Sequence, residues 1–437
     1  MKTKLSVMMF LQYAIWGAWL PLLWPFLNGH RGFTGTEIGH MFAVGAVGAI
    51  VAPFIAGQIA DRYFNTEKFL GLSHLIGAGL VWFLATTETY SGFLWLSLAY
   101  SLVYSPTLPL TNSLAFHHLE DRDRDFGRVR VWGTVGWIVA GILIGQFLYH
   151  FHTPTEAAFS EAVAQNLTSA TDFKGFTDAA YQAGMGNAFK LSAILGVVMG
   201  LYCLLVLPKT PPTKGKEANA TMEALKEVRR QPLLTLFLLA VPVSCIHQFY
   251  FVHTSGFLGT VQSSATEAIN KVFGVGGGGL MTIGQISEVA VLAAIPLVAK
   301  DWSRKTLLAI GLLAYAGRMA LFAHAADSVP LVMLGLALHG LCFGCFIFVA
   351  FMIVDEETTK DVRASAQSLF NLVIIGIGII VGSMIAGDIA ERYMVDNKVT
   401  DYTGLFSWPM WAALACFVLL MLFYPNGRKP APQSSTP

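Results

Sequence analysis

The sequence predicts an all-α membrane protein with about twelve transmembrane helices in two six-helix halves. Of its 437 residues, 54% are hydrophobic and only 13% are charged, whereas a soluble domain carries roughly 25% charged residues. Apolar runs long enough to cross a bilayer recur along the chain, and Lys and Arg residues collect in every second connection between them. These three observations determine the predicted fold class.

Each predicted span is an apolar run bounded by charged or turn-forming residues. The first run follows Lys2 and Lys4 and continues past Trp16 and Trp19 without a small-residue cleavage site, so we expect it to be kept as a span. In chain order the spans are 5–28, 36–60, 68–87, 93–116, 128–149, 188–207, 233–258, 275–299, 303–324, 329–354, 363–390 and 404–424.

The distribution of basic residues predicts the orientation of these spans. With the N-terminus inside, twenty Lys and Arg residues fall in cytoplasmic segments and six fall on the opposite side. Cytoplasmic loops of membrane proteins carry such an excess of positive charge. We therefore expect a multi-pass protein of the bacterial inner (plasma) membrane with both termini in the cytoplasm.

A polar, Pro-rich segment at 208–232 divides the chain, and residues 221–230 within it predict a short amphipathic helix that ends at Pro232. Two six-helix halves around a basic cytoplasmic loop are expected of a transporter. The predicted organisation is an N-terminal half at 1–207, the cytoplasmic linker at 208–232, a C-terminal half at 233–425 and a cytoplasmic tail at 426–437.

One acidic residue, Glu288, interrupts the eighth span. It lies about 18 Å along the helix from Lys300, near the middle of a hydrocarbon core about 30 Å thick. A carboxylate at that depth needs a partner, water or a proton, and it indicates a functional site. Gln285 lies on the same helical face. The alternative is that Glu288 is a structural partner for a cation on another helix.

The fifth span carries a second candidate surface. Arg130, Thr134, Trp137 and Gly141 fall on one helical face, which offers a guanidinium fork, a hydroxyl and a flat ring. These groups suit a planar ligand with hydroxyls and carbonyls. Alternatively, Arg130 extends to the cytoplasmic surface beside Arg128.

Polar residues in two later spans extend the list of candidates. Gln248 in the seventh span can donate and accept hydrogen bonds, which suits a nucleobase edge or a sugar hydroxyl, or an interhelical contact. In the tenth span His339 and Phe343 share a face, and His339 is either a titrating group or a buried neutral histidine. Arg318 in the ninth span has no evident partner in the sequence.

The loop after the second span contains Gly57, Asp61 and Arg62, which resemble the G-x-x-x-D-R loop of the major facilitator superfamily. There the glycine permits close helix approach and the charged pair stabilises one conformation as a gate. The alternative is an ordinary charged loop. The string 56–63 also resembles 386–393, either as an inverted repeat or by chance.

The sequence argues against an enzyme. His118 and Asp123 match the H-x4-D pattern of acyltransferases, but they lie in a short charged loop without an accompanying site motif. The sequence holds no P-loop, metal-ligand cluster or nucleophile elbow. We therefore expect no catalytic residues, no metal and no cofactor.

Several strings together resemble the nucleoside:proton symporters of the major facilitator superfamily over nearly the whole chain. The specific strings are Arg130-Val-Trp-Gly-Thr134, Gln285-Ile-Ser-Glu288 and Arg363-Ala-Ser-Ala-Gln367. The resemblance implies the major facilitator fold, with a central nucleoside site served by alternating access. It also implies substrate-binding roles for Arg130, Thr134, Trp137, Gln248, Gln285, Glu288 and Phe343. With His339, which the tenth span itself offers, these residues make up the expected substrate-binding set.

Two positions depart from the family pattern. Phe251 stands where an asparagine is frequent, and Gly344 stands where an aspartate often follows the aromatic residue of the tenth span. The second departure removes a natural proton carrier and leaves Glu288 as the expected proton-coupling residue. The first puts the preferred nucleoside in question.

The predicted function is the import of nucleosides with protons by a monomer surrounded by membrane lipid, with no nucleic acid as partner. Within transport, the alternatives are an uncoupled facilitator, which Gly344 favours, or a carrier of a sugar or another polar metabolite. A substrate sensor that does not transport is the alternative from another class.

Overall fold

The structure is a computed structural model that describes residues 1–54, 64–211, 225–261, 264–275, 279–298, 302–359, 363–396 and 398–426. Within these residues, eleven helical segments are long and apolar enough to cross a membrane, and Thr282–Ile295 forms a shorter apolar helix in the eighth predicted span. The predicted all-α membrane fold with about twelve spans is therefore confirmed.

The first six spans are helical over most of their predicted lengths. Helix α1 (Lys2–Trp19) continues through three short turns, namely a 3-10 turn (Leu20–Leu22), an α turn (Leu23–Pro25) and a π turn (Phe26–His30). The next helices are α2 (Gly35–Phe54), α3 (Thr66–Thr86), α4 (Tyr90–Tyr104), α5 (Thr107–His118) and α6 (Arg122–Phe151). The predicted external loop at 150–187 contains α7 (Glu156–Ala164) and α8 (Phe173–Gly184), and α9 (Gly186–Leu205) is the sixth span.

The later spans include two that are interrupted by π turns. Helices α10 (Leu233–Thr260), α11 (Ser264–Phe273), α12 (Thr282–Val298) and α13 (Arg304–His324) come first. The tenth span comprises α14 (Val329–Ala337), a helical turn (His339–Leu341), a π turn (Cys342–Phe348) and α15 (Val349–Glu356). The eleventh span comprises α16 (Arg363–Asn371), a π turn (Leu372–Ile377) and α17 (Gly378–Arg392). Strands β1 (Met394–Val395) and β2 (Lys398–Val399) pair antiparallel before α18 (Tyr402–Phe423).

The helices expose large apolar side chains, as expected of surfaces that face lipid. Trp95 is 66% exposed, Leu205 is 78% exposed and Leu422 is 70% exposed. A soluble monomer rarely exposes large contiguous apolar patches. These exposed apolar side chains therefore agree with the hydrophobic composition, which predicts a surface that faces lipid instead of water.

The chain forms two compact units that do not follow its linear order. Unit 1 comprises 1–215, 250–282 and 383–400, and unit 2 comprises 216–249, 283–382 and 401–437. Three of the boundaries between them fall inside helices, namely α10, α12 and α17. The division into six-helix halves around a linker stays a prediction; of its linker helix, 225–228 are helical and 221–224 lie outside the described residues.

In unit 1, glycines allow α1 and α6 to approach closely. A Cβ atom at Gly17 would lie 2.8 Å from the Cα atom of Trp137, and one at Gly136 would overlap the carbonyl oxygen of Phe10. Small residues at helix interfaces permit such backbone contact in membrane proteins. The two helices are therefore held at a distance that only glycine allows.

A neutral polar network is buried between the first helices of unit 1. The side-chain amide of Gln12 donates to the hydroxyl of Thr107 at 2.8 Å, and its oxygen lies 2.9 Å from Nε2 of His74. The Tyr104 hydroxyl donates to the carbonyl of Gln12 at 2.6 Å. Because each of these polar groups has a hydrogen-bond partner, burying them costs much less free energy than burying an unpaired polar group.

The start of α2 and the end of α17 meet in unit 1. A Cβ atom at Gly39 would lie 3.1 Å from the Cα atom of Gly387, so the backbones are in contact. The Thr36 hydroxyl donates to Asp388 at 3.0 Å, and the Thr36 backbone N–H donates to Glu391 at 3.3 Å. The carboxylate of Glu391 thus lies at the positive end of the α2 dipole. The segment 386–393 therefore has a structural role, whereas its counterpart 56–63 lies outside the described residues.

The contact between α1 and α6 predicts opposite effects for two glycines of α6. Gly136→Ala should destabilise the fold by about 1–3 kcal/mol, since overpacking forces the backbones apart. Gly127→Ala is the matched control because a Cβ atom there meets no atom within 4 Å, and it should be neutral or stabilising by up to about 1 kcal/mol. Melting temperatures in detergent micelles check both, and equal melting temperatures for the two variants would contradict the close contact.

Candidate functional site

Helix α6 places Arg130 in contact with an aromatic ring of α1. The guanidinium carbon lies 4.1 Å from the centre of the Tyr13 ring. A cation over the face of an aromatic ring is attracted by the negative charge of that face. A Cβ atom at Gly133, one turn further along α6, would lie 2.7 Å from the guanidinium of Arg130. Arg130 is therefore held within unit 1, between its own helix and α1.

The same face of α6 carries Trp137, which meets a second tryptophan. The rings of Trp137 and Trp16 pack edge to face with centres 5.8 Å apart, and Trp16 also lies 6.2 Å from Tyr104. Thr134 is partly exposed on α6 between Arg130 and Trp137. Unit 1 thus presents one cation, one hydroxyl and several aromatic rings close together, which are groups that suit a flat polar molecule.

In unit 2 the polar residues gather around His339. Its Nδ1 atom lies 2.9 Å from a terminal nitrogen of Arg318 on α13. Its Nε2 atom lies 3.7 Å from a carboxylate oxygen of Glu288 and 3.4 Å from the side-chain nitrogen of Gln285, both on α12. The structure therefore brings three of the predicted residues together and adds Arg318. We call Gln285, Glu288, Arg318 and His339 the His339 cluster.

Two further side chains border the His339 cluster. The imidazole rings of His247 and His339 stack with centres 5.5 Å apart. The Tyr315 hydroxyl lies 2.7 Å from Nδ1 of His247, and the guanidinium of Arg318 lies 5.1 Å from the centre of the Tyr315 ring. Helices α10, α12, α13 and the tenth span therefore all contribute side chains to this region of unit 2.

The helix breaks of the tenth span position the cluster. Ser287 on α12 donates its hydroxyl to the carbonyl oxygen of Ala337, the last residue of α14. A Cβ atom at Gly340 would overlap the backbone of Ser287, so the two helices touch there. The π turn at Cys342–Phe348 follows directly. Such turns are frequent at functional sites because they redirect side chains without ending the helix.

The remaining predicted residues of unit 2 lie in different surroundings. Gln248 is 5% exposed and lies against Gly382. A Cβ atom at Gly382 would lie 3.1 Å from the Cγ atom of Gln248. Phe343 is partly exposed within the π turn. A Cβ atom at Gly344 would lie 2.8 Å from Val291. The position where an aspartate is frequent in the family is therefore packed against an aliphatic side chain, and a carboxylate would not fit there without displacing it.

The predicted gate residues Gly57, Asp61 and Arg62 lie outside the described residues. Conversely, residues that received no role from the sequence contribute to both regions: Tyr13, Trp16, His247, Tyr315 and Arg318. One signal could have found Arg318, because an arginine within an apolar span is as rare as an acid and implies a partner. The aromatic residues gave no such signal in so apolar a sequence.

Comparison with known proteins decides the family. The model of the nucleoside H+ symporter family matches residues 1–170 and 182–429. The chain belongs to this family. It is therefore a multi-pass membrane transporter of a bacterial family, and the family consists of transporters rather than enzymes.

Individual relatives agree with this assignment. YegT of Escherichia coli (strain K12) is 33% identical over 97% of this chain and 94% of its own length. The xanthosine permease of the same strain is 27% identical over 96% of this chain and 94% of its own length. The crystal structure of nucleoside transporter NupG matches with a TM-score of 0.78 at 23% identity, over 96% of this chain and 98% of that one. This likeness supports the fold.

The contact between Arg130 and Tyr13 predicts an energetic coupling that a double-mutant cycle can measure. Tyr13→Leu and Arg130→Met should each lower the melting temperature, and together they should lower it by less than the sum of the two. The expected coupling is about 0.5–2 kcal/mol. Tyr13→Phe keeps the ring and serves as the control, with a coupling close to that of the unaltered protein. Additive effects of Tyr13→Leu and Arg130→Met would show that the cation does not interact with this ring.

Proposed function

We propose that the protein imports nucleosides together with protons across the bacterial inner membrane by alternating access, with both termini in the cytoplasm. One observation carries the proposal. The Glu288 carboxylate, with 12% of its side chain exposed, lies in the short apolar helix α12 and faces the imidazole of His339. An acid in such a position is expensive unless it serves a purpose, and proton carriage is a common one.

Membership of the nucleoside H+ symporter family supports the substrate class. Two relatives are named for nucleosides, as a xanthosine permease and as a nucleoside transporter. A nucleoside combines a flat base that carries donors and acceptors with a sugar that carries hydroxyls. Aromatic rings can stack on the base, amides can pair with its edge, and a carboxylate can accept from the hydroxyls.

We assign the substrate-binding roles accordingly. In unit 1, Arg130 and Thr134 supply hydrogen bonds and Trp137 supplies a stacking surface. In unit 2, amide and carboxylate groups pair with the polar parts of the substrate, and aromatic groups contact the base or sugar. The proposed residues of unit 2 are Gln248, Gln285, Glu288, His339 and Phe343.

Glu288 is the proposed proton-coupling residue. Binding of a proton neutralises its charge, which removes the penalty for moving the loaded carrier through states in which the carboxylate is shielded from water. Gly344 cannot share this role, because it bears no side chain and its surroundings include Val291. The acid of α12 is therefore the group that we expect to carry the proton in this region.

The remaining parts of the proposal concern the organisation of the protein. We propose that it works as a monomer, with 1–207 and 233–425 as its two repeating halves and 208–232 as the cytoplasmic linker. Gly57, Asp61 and Arg62 are the proposed conformational gate. Neither a cofactor nor nucleic acid is part of this mechanism.

Transport against a gradient tests the role of Glu288. Glu288→Gln should reduce proton-driven accumulation of uridine and adenosine in proteoliposomes at least about tenfold, because an amide cannot bind and release the coupling proton. Exchange of labelled for unlabelled nucleoside should persist, since it needs no net proton movement. Glu267→Gln is the matched control: Glu267 lies on α11, its side chain is 69% exposed and its partner is Lys271.

Three results would contradict the proposal in different ways. Full accumulation by Glu288→Gln would remove its proton-coupling role. Equilibration without accumulation by the unaltered protein would identify an uncoupled facilitator. Binding of nucleosides without any flux would identify a sensor.

A further inference from the structure

Arg318 and His339 meet in a way that determines where the imidazole carries its proton. Arg318 is 0% exposed and His339 is 1% exposed. The terminal nitrogen of Arg318 lies 2.9 Å from Nδ1 of His339, within hydrogen-bond distance. A guanidinium group has only donors and stays charged in proteins. In this contact Nδ1 must therefore accept, so it carries no hydrogen.

The other ring nitrogen then has one possible state. A neutral imidazole whose Nδ1 accepts a hydrogen bond carries its proton on Nε2. The Nε2 atom lies 3.7 Å from Glu288, too far for a direct hydrogen bond but close enough for electrostatic attraction. The donor side of His339 therefore faces Glu288 and the side-chain amide of Gln285, the residues that we assign to proton and substrate. Because the amide nitrogen that lies 3.4 Å from Nε2 is itself a donor, this tautomer requires the Gln285 amide to turn its oxygen toward the ring.

The charged and titratable groups around His339 come from several helices. Glu288 is on α12, Tyr315 and Arg318 are on α13, His247 is on α10, and Cys342 follows His339 in its own span. A second proton on His339 would sit on Nδ1 and point at the guanidinium of Arg318. Two cations in contact in an apolar interior repel strongly. Burial of the ring already disfavours a second proton, and Arg318 adds charge repulsion to it.

We propose that Arg318 is a positioning residue that holds His339 as the neutral Nε2–H tautomer, so that the imidazole donates toward Glu288 and the amide oxygen of Gln285 and takes no part in proton uptake. The inference rests on the proposed function, in which His339 contacts substrate and Glu288 carries the proton. It gives the two residues separate roles: His339 orients the substrate, and Glu288 binds and releases the proton. Without Arg318 the charge repulsion is removed, and the Glu288 carboxylate 3.7 Å from Nε2 favours a second proton on the ring.

The test is the pH dependence of nucleoside binding, measured by calorimetry on the detergent-solubilised full chain with uridine and adenosine. Arg318→Gln should acquire a new step between about pH 5 and pH 8, with affinity falling about tenfold toward acid, because His339 now becomes charged. The double variant with Arg318→Gln and His339→Asn should lose that step. Arg318→Lys keeps a charged donor and should show no new step.

Arg304→Gln is the matched control. Arg304 is the first residue of the same helix α13, and it pairs with Glu356, the last residue of α15. The same substitution there should leave the pH dependence of binding unchanged. A general loss of stability would affect both arginine variants, whereas the new step belongs only to Arg318→Gln.

Two results would overturn the proposal: no new step in Arg318→Gln, or a step that persists in the double variant. If Arg318→Gln does not fold, His339→Asn alone decides. The proposal requires nucleoside binding to His339→Asn to depend on pH in the same way as binding to the unaltered protein. If the unaltered protein shows a step in this pH range and His339→Asn lacks it, the proposal is refuted. Failure of the proposed function is a separate result, because it is measured by accumulation in the Glu288→Gln variant and not by the pH dependence of equilibrium binding.

Discussion

The energetic penalty on a charge in an apolar interior governs how unit 2 is built. Glu288 and Arg318 are each too costly to leave alone at membrane depth. His339 lies between them, with one ring nitrogen at 2.9 Å from the cation and the other at 3.7 Å from the acid. An imidazole can contact both because its two nitrogens take opposite hydrogen-bonding roles. The cluster therefore compensates two buried charges through one neutral ring.

Unit 1 meets the same constraint with different means. It buries a network of neutral residues, Gln12, His74, Tyr104 and Thr107, whose polar groups satisfy one another. Its helices α1 and α6 approach through glycines, and an ion pair of 2.6 Å between Lys2 and Asp125 joins them as well. Arg130 contacts the face of an aromatic ring. Neutral hydrogen bonds thus satisfy this network of unit 1, whereas the His339 cluster of unit 2 contains a compensated pair of charges.

Much of this was predictable because polar residues are rare in spans. Glu288 and His339 stand out against apolar neighbours, and the positions of the spans follow from hydropathy alone. The pairing of Arg318 with His339 was not predictable, because it joins residues 21 positions apart on different helices. The π turn at Cys342–Phe348 also has no sequence signature. It follows the helix break at which Ser287 of α12 bonds to the carbonyl oxygen of Ala337, and that contact joins residues far apart in the sequence. The fold thus follows from composition, whereas the partners within the site depend on tertiary contacts.

The glycine contact between α2 and α17 has a consequence for biosynthesis. Gly39 leaves the ribosome early, but the surface that it forms with its neighbours is covered by Gly387, which is made about 350 residues later. Until then that strip of α2 has no permanent partner and must be tolerated by lipid or by the insertion machinery. Unit 1 can therefore be completed only when α17 has been synthesised, and a chain truncated before it would present an unfinished surface to cellular quality control.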